Sequence, residues 1–149
     1  MLLRYTTTLM LGLALLFSNA QADQKVTFNG YELHYIAFNS TMLTPEIAGQ
    51  YGLTRSGQRA IVNLSVLEQR RNDVAVPVPN AEVSVRVRNL LGQSNQLEMR
   101  VIEEQNARYF IGSVPFDDRE VLWFDIEVSI PGERDFEYSF SQELWEEDA

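Results

Sequence analysis

The sequence predicts an all-β protein: an immunoglobulin-like antiparallel β-sandwich of seven to eight strands, with one short helix inserted near residues 44–52. Three observations support this fold class. Apolar and polar residues alternate along several short runs, as in strands with one buried face. Turn residues separate these runs at regular spacing. The chain of 149 residues is 45% hydrophobic, which fits a single folded domain. A closed β-barrel is the alternative architecture.

The strands are predicted from alternation and from the turns between them. Asn29-Gly30 is a dipeptide typical of tight hairpins. Pro77 indicates an edge segment, because proline cannot donate a hydrogen bond to a central sheet. Met99 alternates with neighbouring apolar residues and is predicted to lie in the core. The predicted strands span residues 25–28, 31–38, 58–68, 82–88, 97–103, 108–114, 121–130 and 136–141.

The helix is predicted from its end signals. Thr44 can cap the amino end, and Pro45 suits the first helical position. Gly52 is a natural residue for the turn that ends a helix. Gly49 weakens the prediction, since glycine lowers helix propensity. We expect this helix to cross one end of the sandwich.

Residues 1–22 are predicted to be a secretory signal peptide. Arg4 supplies the positive charge, and residues 9–17 form an apolar core. As a helix that core would span about 14 Å, too short for a bilayer interior of about 30 Å. We therefore expect a periplasmic protein with no stable membrane insertion after cleavage between Ala22 and Asp23.

The mature chain is predicted to comprise two parts. Residues 23–142 form the β-sandwich domain, and residues 143–149 form an acidic tail. Such tails are commonly frayed and solvated. Trp145 interrupts the acidic run, so a docking peptide is the alternative interpretation.

The composition argues against several classes of function. The chain carries 12 Lys and Arg against 21 Asp and Glu, for a formal net charge of -9. Nucleic acid is therefore an unexpected partner, because phosphate binding needs a basic face. The absence of cysteine excludes disulfides, a cysteine nucleophile and thiolate metal sites. No cofactor is predicted.

Candidate metal ligands are sparse. Copper could use the single histidine, His34, with Met42 or Met99, because imidazole and thioether groups suit copper, but the spacing does not support such a site. A weak calcium site is conceivable in one acidic loop, although the loop lacks the spacing of a helix–loop–helix calcium site. The oxygen-bearing residues of that loop are Asp117, Asp118 and Glu120.

Candidate catalytic groups are also weakly indicated. A serine–histidine arrangement would have to use His34, which shares a strand face with Glu32, and no nucleophile-elbow motif is present. Paired carboxylates could support glycoside hydrolysis. Most of the acidic residues, however, lie at turns or on outward strand faces. No catalytic residue is therefore assigned.

One stretch of the sequence resembles a known family. It contains Phe38-Asn39-Ser40-Thr41-Met42-Leu43-Thr44-Pro45-Glu46-Ile47-Ala48, then Tyr51-Gly52-Leu53, Arg55-Ser56 and Ala60-Ile61-Val62-Asn63-Leu64-Ser65-Val66-Leu67. The chain is similar here to a family of small exported Gram-negative bacterial proteins that carry a single domain of unknown function. The resemblance extends over most of residues 26–142 and implies a periplasmic sandwich domain. It implies no established activity or catalytic residue.

The best candidate site is the helix and its flanks, with one exposed tryptophan elsewhere. Sandwich loops commonly carry binding residues at one end of the fold. The alternative is structural, with the aromatic residues in the core and the polar ones satisfying loop carbonyls. The candidate partner-binding residues are Phe38, Asn39, Glu46, Tyr51, Arg55, Asn63 and Trp123.

The sequence thus favours a non-enzymatic module that binds a periplasmic or envelope protein or component. Two alternatives stay open. One is a carboxylate-dependent hydrolase acting on envelope sugars or peptides, which would need two converging acids in a cleft. The other is a carrier with a small-ligand cavity between the sheets.

Overall fold

A computed structural model describes residues 24–148. The predicted signal peptide and its cleavage site at Ala22 and Asp23 lie outside the described residues. A short 3-10 turn (Ser40–Met42) precedes helix α1 (Pro45–Tyr51). The strands of residues 24–148 are β1 (Lys25–Phe28), β2 (Tyr31–Asn39), β3 (Arg59–Gln69), β4 (Ala75–Pro77), β5 (Glu82–Asn89), β6 (Ser94–Leu97), β7 (Arg100–Glu104), β8 (Ala107–Pro115), β9 (Glu120–Ser129) and β10 (Phe136–Leu144).

These strands form two antiparallel sheets, which confirms the predicted all-β sandwich. The larger sheet has the order β1-β2-β3-β8-β7, with β4 paired to β3. The smaller sheet has the order β10-β9-β5-β6. Residues 24–148 contain ten strands where the sequence predicted seven to eight, because the predicted strand over residues 97–103 corresponds to parts of β6 and β7, and the short β4 was not predicted as a strand.

The main core lies between the two sheets. Alternate side chains of each strand point inward, as the period of two requires. Leu33 of β2, Leu64 of β3, Val85 of β5 and Phe124 of β9 are completely buried there. The packed apolar side chains fill the space between the sheets.

One lateral side of the sandwich is closed by aromatic residues of β1, β2 and β10. The rings of Phe28 and Phe136 stack with their centroids 4.0 Å apart. The hydroxyl groups of Tyr35 and Tyr138 form a hydrogen bond of 2.8 Å. Burial, followed by this hydrogen bond, raises the pKa of Tyr35 to about 12. These four residues are called the aromatic seam below.

The opposite lateral side is open where the chain passes between the sheets. β6 ends at Leu97 in the smaller sheet, and β7 begins at Arg100 in the larger one. The prediction of one continuous strand over residues 97–103 is therefore wrong. Gly112 permits this crossing: a Cβ atom there would lie 2.6 Å from Met99 Sδ and 2.9 Å from Leu97 Cδ2.

Helix α1 forms as predicted but lies in an unexpected place. The Thr44 side chain accepts a hydrogen bond from the Ile47 N–H, and Gly52 adopts a φ of 64°. The helix packs on the outer face of the larger sheet, and it does not cross the end of the sandwich. It covers a second apolar cluster on that face, because β2, β3 and β8 carry apolar residues on both faces. The buried members of this cluster are Phe38, Leu43, Ala48, Ile61, Tyr109 and Ile111.

Candidate functional site

The structure places the predicted binding residues at several separate positions. Phe38 and Tyr51 both belong to the cluster beneath α1. Glu46 lies exposed on the helix itself. Trp123 lies on β9 of the smaller sheet and so does not join the others. The helix and its flanks therefore do not assemble all of these side chains into one surface.

Tyr51 and Phe38 have their apolar parts against the sheet. Phe38 is 6% exposed. The Tyr51 hydroxyl donates a hydrogen bond to Glu104 Oε1 of β7. Burial is the main reason why the pKa of Tyr51 is raised, and the bond to Glu104 is the second. Arg100 donates to the Tyr51 carbonyl oxygen at 2.5 Å, so β7 also fixes the end of the helix.

Arg55 holds the connection between β2 and α1. Its Nε donates to the Leu43 carbonyl oxygen at 2.6 Å, and one terminal nitrogen donates to the Thr41 carbonyl oxygen at 3.1 Å. The side chain is half-buried in these contacts. This is the structural role that the alternative interpretation gave to Arg55.

Asn39 is buried and binds the end of the described chain. Its Nδ2 donates to the carbonyl oxygens of Gly57 at 3.0 Å and Trp145 at 3.1 Å. Its Oδ1 accepts from the main-chain N–H of Thr41 at 3.0 Å and from the Thr41 hydroxyl at 2.8 Å. We call residues 145–148 the C-terminal strap. Asn39 thus connects this strap to the loop that precedes β3.

The C-terminal strap lies close to Gly57 and to the loop between β8 and β9. Glu147 N–H donates to the Gly57 carbonyl oxygen at 3.1 Å, and Glu146 N–H donates to Asp118 Oδ1 at 2.9 Å. The Arg119 guanidinium lies 5.2 Å from the centroid of the Trp145 ring. A Cβ atom on Gly57 would lie 1.5 Å from the Glu147 carbonyl oxygen, so only glycine permits this approach.

Asn63 is a buried polar residue at the centre of the larger sheet. It is 0% exposed and pairs with Ile36 of β2 and Ile111 of β8. Neither Nδ2 nor Oδ1 has a hydrogen-bond partner among the described residues. An unpaired buried amide costs about 1–3 kcal/mol. Its position prevents direct contact with a protein partner.

Trp123 lies on the solvent-facing side of the smaller sheet, where the sequence placed it. The Arg88 guanidinium lies 4.9 Å from the centroid of the Trp123 ring. Arg88 also forms a two-point ion pair with Asp125, at 2.7 and 3.2 Å. The hydrogen bond from Arg88 is the main reason why the pKa of Asp125 is lowered, and Ser139 adds a further bond. Trp123 is therefore partly covered by Arg88.

Glu32 is the centre of a polar cluster on β2. The sequence did not indicate that this carboxylate is buried. It is 6% exposed, although its strand face looks outward from the larger sheet. Glu32 Oε2 lies 2.7 Å from His34 Nε2, and Glu32 Oε1 accepts from Gln69 Nε2 at 2.7 Å. Lys25 Nζ lies 3.5 Å from Oε1. The hydrogen bond with His34 is the main reason why the pKa of Glu32 is lowered.

The acidic loop between β8 and β9 uses its carboxylates locally. Glu120 Oε2 accepts from the Asp117 N–H at 2.8 Å. Asp118 accepts from the C-terminal strap and lies 3.7 Å from the Arg119 guanidinium. Within residues 24–148, no group of three or more His, Cys, Asp or Glu side chains has an arrangement that could hold a metal ion. Of the three candidate calcium ligands, Glu120 holds the loop and Asp118 contacts the strap.

A cleft lies on the open lateral side, between the end of β8 and the β5–β6 hairpin. We call it the open-edge cleft, and its volume is about 720 Å³. Its apolar lining includes Leu97, Val114, Phe116 and Leu122. Long-range pairing creates the cleft, so no local pattern in the sequence indicated it. Its polar lining includes Gln58, Arg59, Asn89, Gln93, Asn95, Gln96, Ser113, Asp117 and Glu120.

The fold is similar to that of other bacterial proteins of known structure. FetP of uropathogenic Escherichia coli strain F11 superposes with a TM-score of 0.60 in two structures, one of them a copper-bound variant. The copper-bound variant is 12% identical over 84% of this chain and 96% of its own. The second structure is 11% identical over 85% of this chain and 96% of its own. At this identity the similarity shows the fold alone.

A DUF4426 family protein from Pseudomonas aeruginosa PAO1 is more similar in sequence. It is 32% identical, covers 87% of this chain and 99% of its own, and superposes with a TM-score of 0.71. No curated protein matches the sequence. The DUF4426 domain, a domain of unknown function, matches residues 25–147. The chain therefore belongs to the DUF4426 family.

Proposed function

We propose that this protein is an exported, non-enzymatic binding domain of the bacterial envelope, with the open-edge cleft as its ligand site. The size and composition of the cleft are the main support, since about 720 Å³ is within the range of ligand-binding clefts. The predicted signal peptide supports export. Among residues 24–148, no helix has the length and apolar character needed to cross a bilayer.

The side chains around the cleft favour binding over hydrolysis. Glycoside hydrolysis needs two carboxyl groups on opposite sides of the scissile bond. The acids of the cleft, Asp117 and Glu120, lie in one turn, and Glu120 accepts the Asp117 N–H. The Glu120 carboxyl group is therefore used to stabilise the turn. The two carboxyl groups do not face each other across the cleft.

A carrier function inside the sandwich is less favoured than binding at its edge. Phe124 and Phe140 stack between the sheets with their centroids 5.0 Å apart. Phe124 is 0% exposed and belongs to a continuous apolar core. A ligand would therefore bind in the open-edge cleft and not between the sheets.

Copper binding does not fit the residues of this chain. FetP has a similar fold and one of its variants is copper-bound, and the imidazole and thioether groups are the copper-type ligands of this chain. His34 faces outward from the larger sheet, whereas Met99 packs against Gly112 on the core side. Met42 follows the end of β2, and His34 lies about 16 Å before that end at about 3.3 Å per residue. These side chains cannot share one ion.

Site-specific photocrosslinking in living cells tests the proposed site. A photoreactive amino acid replaces Asn95 in the cleft, Glu46 on α1 or Glu127 on the outer face of the smaller sheet. All three positions are exposed. We expect one reproducible adduct from position 95 and none from position 127, because only the first lies in the cleft.

The position that yields the adduct identifies the binding surface. An adduct from position 46 alone would move the site to the helix and its flanks. Equal adducts from all three positions, or none from position 95, would overturn the assignment of the cleft. Circular dichroism of each variant would establish that the domain is folded.

A further inference from the structure

β6 is an edge strand whose free side faces the open-edge cleft. It pairs with β5 on one side only, and no described strand pairs with its other side. The hydrogen bond from Asn89 N–H to the Gln93 carbonyl oxygen sets the pairing of the hairpin. In an antiparallel pair, hydrogen-bonded and non-hydrogen-bonded residues alternate. Ser94 and Gln96 therefore direct their main-chain N–H and C=O groups away from β5, towards the free side.

The opposite wall of the cleft also has a free edge. Phe116 N–H donates to the Gln58 carbonyl oxygen, so the same alternation turns the main chain of Ser113 away from β3. β7 pairs with β8 only as far as Ile111, because the chain crosses to β6 beyond that point. The cleft is thus a notch between two unpaired strand edges.

The free edge of β6 lacks the charged residues or proline that the other edges carry, and its short length of four residues is its one protective feature. Natural edge strands are commonly blocked by charged residues, by proline or by a covering element. β4 contains Pro77, and β1 contains the charged residue Lys25. β7 and β10 carry charged residues. β6 is the sequence Ser-Asn-Gln-Leu, with neither charge nor proline.

Exposed apolar residues lie at the same edge. Leu90 and Leu91 form the tip of the β5–β6 hairpin and are 73% and 84% exposed. No other large apolar side chain among residues 24–148 is as exposed as these two. A pair of exposed leucines beside an unprotected strand edge is typical of an interaction surface.

We propose that the open-edge cleft binds an extended polypeptide segment of a partner protein, which pairs through its main chain with the free edge of β6. This inference rests on the proposed function, because it assigns the ligand of the same cleft. In strand addition, main-chain hydrogen bonds give affinity and alternate side chains give specificity. One face of the bound segment contacts Leu97, Val114 and Phe116, so we expect alternating apolar and polar residues.

The charge of the cleft further defines the segment. The charged side chains around the cleft are Arg59, Arg88, Asp117 and Glu120. Arg88 is paired with Asp125 outside the cleft, so Arg59 faces two carboxylates and the lining carries a small negative charge. A segment that is neutral or weakly basic therefore fits better than an acidic one.

The test uses random linear peptides displayed on phage and selected against the mature protein. Selected peptides are then measured for affinity with a methyl group on each main-chain nitrogen in turn. We expect methylation to weaken binding at every second position only, because alternate amides face β6. Hydrogen exchange of Ser94 and Gln96 amides should become slower in the complex.

A matched pair of proline variants separates edge pairing from other changes. Gln96→Pro removes an N–H that faces the cleft but takes no part in the pairing with β5. Ser141→Pro makes the same change on β10, the other edge of the smaller sheet. We expect binding about five-fold or more weaker for Gln96→Pro, the loss of one hydrogen bond, and unchanged binding for Ser141→Pro.

The remaining outcomes are distinguishable. Binding that is blocked by a photocrosslinker at Asn95 but is indifferent to amide methylation and to Gln96→Pro would overturn strand addition and leave the cleft as a ligand site. Failure to select any peptide that contacts the cleft would overturn strand addition. If the photocrosslinker at Asn95 also captures nothing, the proposed function fails with it. A dimer of the purified protein with protected Ser94 and Gln96 amides would show that a second copy occupies the edge and would overturn the proposal.

Discussion

Asn63 shows how one side chain can work against the stability of the fold. Its amide is buried between apolar neighbours without a partner among the described residues. We expect Asn63→Leu to raise the free energy of unfolding by about 1–2 kcal/mol, because an unsatisfied buried amide is removed. Urea unfolding followed by circular dichroism measures the change.

An exposed asparagine provides the control for Asn63→Leu. Asn80→Leu changes an exposed asparagine and should alter stability by less than about 0.5 kcal/mol. If Asn63→Leu destabilises the domain instead, either the amide is bonded to an internal water molecule or the larger side chain does not fit, and the prediction is wrong.

Attachment of the C-terminal strap depends on the absence of a side chain at Gly57. Gly57→Ala would place a methyl group against the Glu147 carbonyl oxygen, so we expect the strap to detach. Hydrogen exchange of residues 145–148 should then accelerate, while the sandwich strands stay protected. Gly49→Ala is the matched control, because nothing lies within 4 Å of its Cβ position in α1. A strap that stays protected in Gly57→Ala would contradict the geometry.

At the scale of the elements, α1 depends on its amino-terminal cap. The Thr44 side chain accepts the Ile47 N–H at 3.2 Å. We expect Thr44→Ala to lower the free energy of unfolding by about 1 kcal/mol, since that N–H loses its partner. Thr54→Ala changes an exposed threonine beyond the helix and should have little effect. Equal effects of both variants in urea unfolding would argue against the cap.

The strands show what alternation can predict. β5, β9 and β10 follow the period of two, and the structure has all three. Alternation alone does not reveal when a strand changes sheets, so the crossing after Leu97 was not predicted. Val101 has the spacing of a core residue but is 47% exposed, because β7 is an edge strand. Local patterns therefore predict strands better than they predict partners.

The sequence of β3 contains a signal for the position of α1. β3 is buried at every residue from 60 to 66, on both of its faces. A strand of this kind needs a cover on each side, and the helix supplies the outer one. The strap and the cleft had no comparable signal. Both bring together residues far apart in sequence, such as Asn39 and Trp145.

At the scale of the whole molecule, the polar cluster at Glu32 connects β1, β2 and β3 and makes stability depend on pH. The pKa of Glu32 is held below its ordinary value of 4.5, mainly by the hydrogen bond with His34. The folded protein therefore gives up this proton more readily than the unfolded chain. The resulting stability is present above the unfolded pKa and is lost as pH falls through the folded pKa.

The contribution of Glu32 to stability can be measured as a function of pH. We expect Glu32→Gln to be less stable than the wild type at pH 7, with a difference that shrinks as pH falls through the folded pKa of Glu32. Urea unfolding at several pH values measures both curves. Glu137→Gln, at an exposed position of β10, should run parallel to the wild type. Parallel curves for Glu32→Gln would show that the cluster does not govern acid stability.

Export remains a prediction of the sequence that a mass measurement can test. We expect the protein isolated from the periplasm to begin at Asp23, because the signal peptidase prefers the small residue Ala22 before the cut. Intact mass spectrometry after cell fractionation gives the start residue. A protein that retains residues 1–22 in the soluble fraction would contradict cleavage.

The aromatic seam has a consequence for the order of folding. It stacks Phe28, near the start of the described chain, on Phe136, near its end. These rings cannot meet until β10 has emerged from the ribosome or from any channel that the chain crosses. Because contacts between distant parts of a chain slow folding, closure of the sandwich waits for β10. Until β10 is available, Phe28 and Tyr35 lack their packing partners, and the lateral side that they close stays open.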